Sequence, residues 1–189
     1  MPNKKGKKQA ATEERRPDPK SSPESAFHIG LGSAHHAKPN VSWIASPNSA
    51  SRQGAKIDTL VLHNTDNTLT SAINRFKDPH EQVSAHYIVA RDGSITQMVD
   101  DSSTAWHSGN KEVNERSVGI EVVASKTATG MSAAQEASLV TLCRYILDVY
   151  AIKLNRILPH RAIKSTDCPG WVWRTDLELT TWITQKLSS

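Results

Sequence analysis

The chain changes character at Ile57. From there to His63 the residues IDTLVLH alternate little and are rich in branched side chains, which predicts a strand buried on both faces that ends at His63. SAINRF, from Ser71 to Phe76, has helical spacing and is stopped by Pro79. SAHYIVARDGSITQMVD then offers two strands around Asp92-Gly93, a hairpin signal. A further buried strand, SVGIEVVA, covers Ser117 to Ala124. Ser132 followed by Gln135 makes a capping box that opens a long helix, with Leu139, Leu142, Cys143, Ile146, Val149 and Tyr150 recurring at helical spacing. Thr175 and Glu178 form a second capping pair, which opens a final helix ending near Leu187. Strands interleave with helices and one hairpin is antiparallel, so the expected class is α/β, a mixed central β-sheet flanked by helices.

Upstream of this pattern, residues 1–54 are dense in Lys, Pro, Ser, Asn and Ala, with only scattered large apolar residues. Such a composition buries too little surface to offset chain entropy, and it reads as a basic, largely flexible arm ahead of a domain at 55–189. Within the arm, Val41 to Ala45 is the stretch suited to packing on the domain. A length of 189 residues fits one domain with such an extension and excludes two independent catalytic domains. No stretch approaches the roughly 18 apolar residues of a membrane span.

The formal charge of +4 changes meaning once it is located along the chain. Residues 1–20 hold seven Lys or Arg against three acids, and the remainder holds 16 of each sign. The folded part therefore has no basic footprint for nucleic acid. Two cysteines, Cys143 and Cys168, are too few to staple a domain that can build its own core. Polar residues follow the basic start where a secretory signal would place its apolar run, so the expectation is synthesis in the cytoplasm without such a signal.

Of eight histidines, four fall in the arm or in the charged turn at His80, where exposure is the ordinary explanation. His63 ends a buried strand, the place where sheets present functional groups to a crevice. His160 opens PHRAIKSTDCPG, in which Cys168 precedes Pro169 and Gly170. Two imidazoles and a thiolate suffice for zinc and leave a fourth tetrahedral position for water. Spacing alone leaves packed or surface histidines as the competing reading.

VLHNT (Val61 to Thr65), SAHYIVARDG (Ser84 to Gly93), AWHSGN (Ala105 to Asn110), SVGIEVV (Ser117 to Val123) and the PHR to DCPG segment stand in one order. In that order they resemble the type 2 N-acetylmuramoyl-L-alanine amidases, a family that includes phage amidase lysozymes, bacterial muropeptide amidases and peptidoglycan recognition proteins. The resemblance covers about Ile57 to Leu187. It implies a peptidoglycan recognition protein-like fold and a hydrolase with one Zn2+ that cuts the amide between the lactyl group of N-acetylmuramic acid and L-alanine of the stem peptide. It also implies His63, His160 and Cys168 as metal ligands, with Cys168 rather than Asp167 third because it directly precedes Pro-Gly. Glu121, in the apolar strand GIEVV, is the implied proton carrier.

Two departures qualify the carry-over. Where phage lysozymes of the family place a tyrosine before the motif histidine, this chain has Ala85, and the role is not transferred to Tyr87. Two residues before the third ligand, where many members carry lysine, stands Thr166, the candidate donor to the oxyanion, with Lys164 a second candidate. Trp106 and His107 are expected in the groove wall, and Asn64, Asn110 and Asn114 as hydrogen-bonding partners of the substrate. His86 is expected behind the site or in its wall, Trp171 and Trp173 sealing the last helix, and Cys143 in the core. Partners would be peptidoglycan or muropeptides, with an immunity protein or export machinery as further candidates, and action on the wall would follow lysis or specialised secretion. The competing readings are a non-catalytic peptidoglycan-binding module of the same fold and a cytoplasmic muropeptide-recycling amidase.

Overall fold

The structure is a computed structural model that describes residues 36–188. Its centre is a six-stranded mixed sheet of β1 (Ser42–Trp43), β5 (Ile95–Gln97), β4 (Tyr87–Val89), β7 (Ser117–Val122), β3 (Thr59–Asn64) and β8 (Ile157–Pro159), in that spatial order. Strands β4, β7, β3 and β8 run parallel, and β5 pairs antiparallel with β4 across the hairpin at Asp92-Gly93. A two-stranded antiparallel ribbon of β2 (Ser49–Ser51) and β6 (Ser103–Ala105) lies apart from the sheet.

Helices α3 (Ala133–Tyr150) and α4 (Asp176–Leu187) cover one face of the sheet. Both begin as their capping pairs predict: Ser132 accepts from the Gln135 amide and Thr175 from the Glu178 amide. Leu139, Leu142, Cys143 and Ile146 of α3 pack with Leu60 and Leu62 of β3, Val118, Ile120 and Val122 of β7, and Trp182 of α4. Val149, placed on the same stripe by spacing, is instead 50 % exposed, while Tyr150 beside it packs against the core. The other face carries α1 (Leu69–Lys77), whose Ala72 and Phe76 pack with Ile88, Met98 and Val123. Among the described residues no helix is long and apolar enough to cross a membrane.

The domain begins upstream of the boundary drawn at residue 55. His36 is bonded to Asp148 of α3 through its backbone N–H and its ring, β1 joins the sheet edge and β2 pairs with β6. Arg52 is buried, with its guanidinium donating to the carbonyls of Asp101, Asn114, Glu115 and Ser117. Small polar residues hold this segment by hydrogen bonds: Asn48 alone reaches the carbonyls of Phe76, Asp78 and Val83. A composition test for apolar burial does not register such contacts. Residues 1–35 of the expected arm lie outside the described residues.

Candidate functional site

Parallel pairing of β3 with β7 sets His63 opposite Glu121, so both side chains rise from one face near the C-terminal ends of their strands. On the other side of β3, strand β8 ends at Pro159 and delivers His160 at the start of a short 3-10 turn. The following loop folds back: the Arg161 N–H donates to the Cys168 carbonyl at 2.9 Å, and the Cys168 N–H to Thr166 Oγ1 at 3.3 Å. One donor atom from each of His63, His160 and Cys168 thereby falls within 4.8 Å of the others.

This triad fits a tetrahedral metal. Cys168 Sγ lies 3.9 Å from His63 Nδ1, against about 3.6 Å for a sulfur and a nitrogen sharing one zinc. His160 Nε2 faces the Ser108 carbonyl at 3.1 Å, so it carries the proton and leaves the Nδ1 lone pair free. Cys168 Sγ accepts the Asn64 N–H at 3.3 Å. Burial holds His63 well below the usual imidazole range, with His160 adding to the effect, and burial also lowers His160. Both rings are thus neutral donors. Burial, and next the Glu121 carboxylate, push the Cys168 thiol up, so a thiolate here needs a cation beside it.

The donors open into a cleft of about 710 Å³ whose lining includes Glu121, Thr166, Lys164, Trp106 and Arg75. Glu121 is half-buried as a residue, but its Oε2 is enclosed and has no hydrogen-bond partner. Desolvation, followed by the charge of Asp66, raises its pKa to about 8. Thr166 is exposed at the cleft margin. Lys164 is exposed too, and its chain runs along Gly109, where an added Cβ would meet Cδ at 2.9 Å and Nζ at 3.1 Å. Half-buried Trp106 forms part of the wall, as expected.

Four of the residues expected to line the groove or bind substrate are engaged by the protein itself. Asn64 is buried, donating to Asp66 and accepting the Trp171 N–H, and so ties the ligand loop down. Asn114 is buried and accepts the Ser108 N–H, while Asn110 caps α2 (Lys111–Arg116). His107 touches the cleft but is 9 % exposed, and both its ring nitrogens are engaged, Nδ1 with His63 Nε2 and Nε2 with Ser117 Oγ, each at 3.0 Å. Fully buried His86 sits behind it, ring centroids 5.9 Å apart, its Nδ1 accepting the Gly119 N–H and its Nε2 donating to the Ser103 carbonyl at 3.1 Å. Trp173 seals α4 against the core, its ring tilted against that of Trp182 with centroids 5.1 Å apart, but Trp171 is 38 % exposed and does not. Cys143 is wholly buried.

Sequence reasoning missed Arg52, Ser117 and Gly119. The signal for the last two was present: Ser117, Gly119 and Glu121 alternate with Val118, Ile120 and Val122, and a glycine inside a buried strand marks a close approach.

A family described as N-acetylmuramoyl-L-alanine amidase matches residues 53–171. N-acetylmuramoyl-L-alanine amidase A of Achromobacter lyticus is 36 % identical over 78 residues, which cover 41 % of this chain and 43 % of that protein. The 1,6-anhydro-N-acetylmuramyl-L-alanine amidase AmpD of Escherichia coli is 35 % identical over 104 residues, 50 % of this chain and 56 % of that one. The chain thus spans about half the length of the curated relatives it matches. A mutant structure of PlyL superposes with a TM-score of 0.67 at 19 % identity, covering 80 % of this chain and 100 % of that one, and shares the fold.

Proposed function

Because the chain belongs to the N-acetylmuramoyl-L-alanine amidase family, we propose that it hydrolyses the amide between the lactyl group of N-acetylmuramic acid and L-alanine of the peptidoglycan stem peptide, with one zinc ion held by His63, His160 and Cys168. The observation that carries this reading is the convergence of those three donors beside an enclosed carboxyl oxygen that has no partner. When bound, zinc would supply Lewis acidity toward the scissile carbonyl and acidify a water.

The remaining work falls to the protein's own groups. Glu121 takes the proton of the attacking water and returns it to the departing amine; the carbon–nitrogen bond breaks, leaving a lactyl carboxylate and a free L-alanine amino terminus. Thr166, exposed at the margin, donates to the carbonyl oxygen as charge builds on it, with Lys164 supplying positive charge from the rim by Gly109. Trp106 offers an apolar wall for sugar and peptide.

The test is digestion of peptidoglycan by the full chain with and without a chelator, followed by zinc, with products read by mass spectrometry. Stem peptides beginning with L-alanine, lost on chelation and regained with zinc, are expected. Protein that binds the wall but releases nothing would establish the non-catalytic binding module. A second reading rests on the AmpD relative, named for 1,6-anhydro substrates: soluble anhydro-muropeptides run in parallel separate it from wall lysis, because only a lytic enzyme releases peptides from intact sacculi.

A further inference from the structure

His160 and His63 are both set to offer Nδ1 to the cluster, but by different means. The ring of His160 is held directly by a backbone carbonyl. His63 has no such partner: its Nε2 meets another imidazole nitrogen, Nδ1 of His107, at 3.0 Å. Between two neutral rings one nitrogen must donate and the other accept, and nothing in this pair alone decides which.

The decision is made two groups away. Ser117 Oγ donates its only proton to the Val113 carbonyl at 2.6 Å. It can therefore only accept from His107 Nε2, 3.0 Å distant, and that nitrogen carries the ring's proton. His107 Nδ1 is then an acceptor, His63 Nε2 must be the donor, and the lone pair of His63 falls on Nδ1, the nitrogen that faces Cys168. The strand is shaped for this arrangement. His107 lies over Gly119, where an added Cβ would sit 2.5 Å from its Cγ and 2.7 Å from its Cδ2. Ser117 and Gly119 belong to the same alternate set on β7 as Glu121, so one strand face carries the hydroxyl that sets the relay, the gap that seats its ring and the carboxyl at the cleft.

We infer that His107 and Ser117 are positioning residues: through the chain Val113 C=O, Ser117 hydroxyl, His107 and His63, they lock His63 in the tautomer that presents Nδ1 to a metal ion. The inference rests on the metal reading above and explains why a polar ring is buried where a groove wall was expected. Groups that orient a metal's histidine in this way typically change its affinity by about 10- to 100-fold when removed.

The experiment uses the full chain and two readouts. Nitrogen-15 spectra of the zinc-free protein locate the imidazole protons, and competition against a colorimetric chelator gives zinc affinity. In the unmodified protein both His63 and His107 should be protonated at Nε2. Ser117→Ala frees His107 to move its proton to Nδ1, which turns a donor toward His63; the His63 proton should shift in part to Nδ1, and zinc affinity should fall about 10- to 100-fold. His107→Phe should show a similar loss. His107→Asn, whose Oδ1 stands near the place of Nδ1 and can accept from His63, should recover most of it, a rescue that mere filling of space does not predict. Gly119→Ala should displace the ring and fall with His107→Phe. A proton on His107 Nδ1 in the unmodified protein, or affinities of His107→Phe and Ser117→Ala within about twofold of it with the fold intact, would overturn the relay. If the unmodified chain takes up no zinc, the metal reading fails instead, and the proton positions still decide the relay.

Discussion

On β7, Val118, Ile120 and Val122 turn toward α3 and α4, while Ser117, Gly119 and Glu121 turn the other way. β3 divides alike: Leu60 and Leu62 join the apolar layer, and Thr59, Val61 and His63 share the face of Glu121. Both faces are buried, so burial alone does not distinguish them. The apolar face gains stability from area removed from water, at about 25 cal/mol per Å². The polar face encloses imidazoles held neutral by burial and a carboxyl oxygen with no partner, groups that are costly to bury and useful for chemistry. One strand thus supports the fold with its even positions and the site with its odd ones.

If the division is right, changes to one face should leave the other's property alone. The largest effect is expected from Cys168→Ser: stoichiometric zinc and release of L-alanine-terminated peptides should both disappear, while the chemical unfolding midpoint of the zinc-free protein stays where it was. Retention of full activity would remove Cys168 from the ligand set. Glu121→Gln should keep zinc, as measured by elemental analysis, and lower turnover by about 10²- to 10⁴-fold. Its stability should be unchanged or higher, because the cost of enclosing an ionisable carboxyl is removed; a clear loss of stability would show that Glu121 is structural. Leu142→Ala, on the opposite face, should lower unfolding free energy by about 2–5 kcal/mol in denaturant titration. Activity per folded molecule should be preserved, and its loss would break the separation of the two faces.

The smallest effect lies at the foot of β3. Burial raises the Asp58 carboxyl, but hydrogen bonds from Thr59, Arg116 and Arg156 outweigh it and hold the group below its ordinary value. A carboxylate whose pKa is depressed in the fold contributes stability above its unfolded pKa of about 3.9, and loses it as pH falls through the folded value. Asp58→Asn should therefore cost at most about 1 kcal/mol at pH 7, the group being partly exposed, and the gap between the two proteins should close in acid. A gap that persists at pH 2 would mean that shape, not charge, is lost.

What could be read from the sequence follows the same division. The apolar periodicity of α3, the capping pairs of α3 and α4, the hairpin at Asp92-Gly93 and strands β3 and β7 are local signals, and each matches an observed element. His63, His160 and Cys168 were legible through their motifs, and the structure brings them together. Val41 to Ala45 was legible as a stretch that packs on the domain, and β1 lies within it, but β2 and β6 were not, because strands of three small residues carry no periodicity and exist only through partners far along the chain. His107, Asn64 and Asn114 were recognised as polar residues near the site, but their roles depend on which neighbour each side chain meets. A hydrogen-bond direction set by Ser117 and passed through a second ring is a property of the assembled face, not of any segment.

The three clustered donors come from far apart in the chain, Cys168 lying 105 residues after His63. During synthesis, a chain that has emerged only through β7 holds His63 and Glu121 but neither of the other two donors. At an elongation rate of about 5–20 residues per second, the stretch from Glu121 to Cys168 takes roughly 2–10 s. Through that interval at least one of the three donors is still missing, and their cluster closes only once Cys168 has been added.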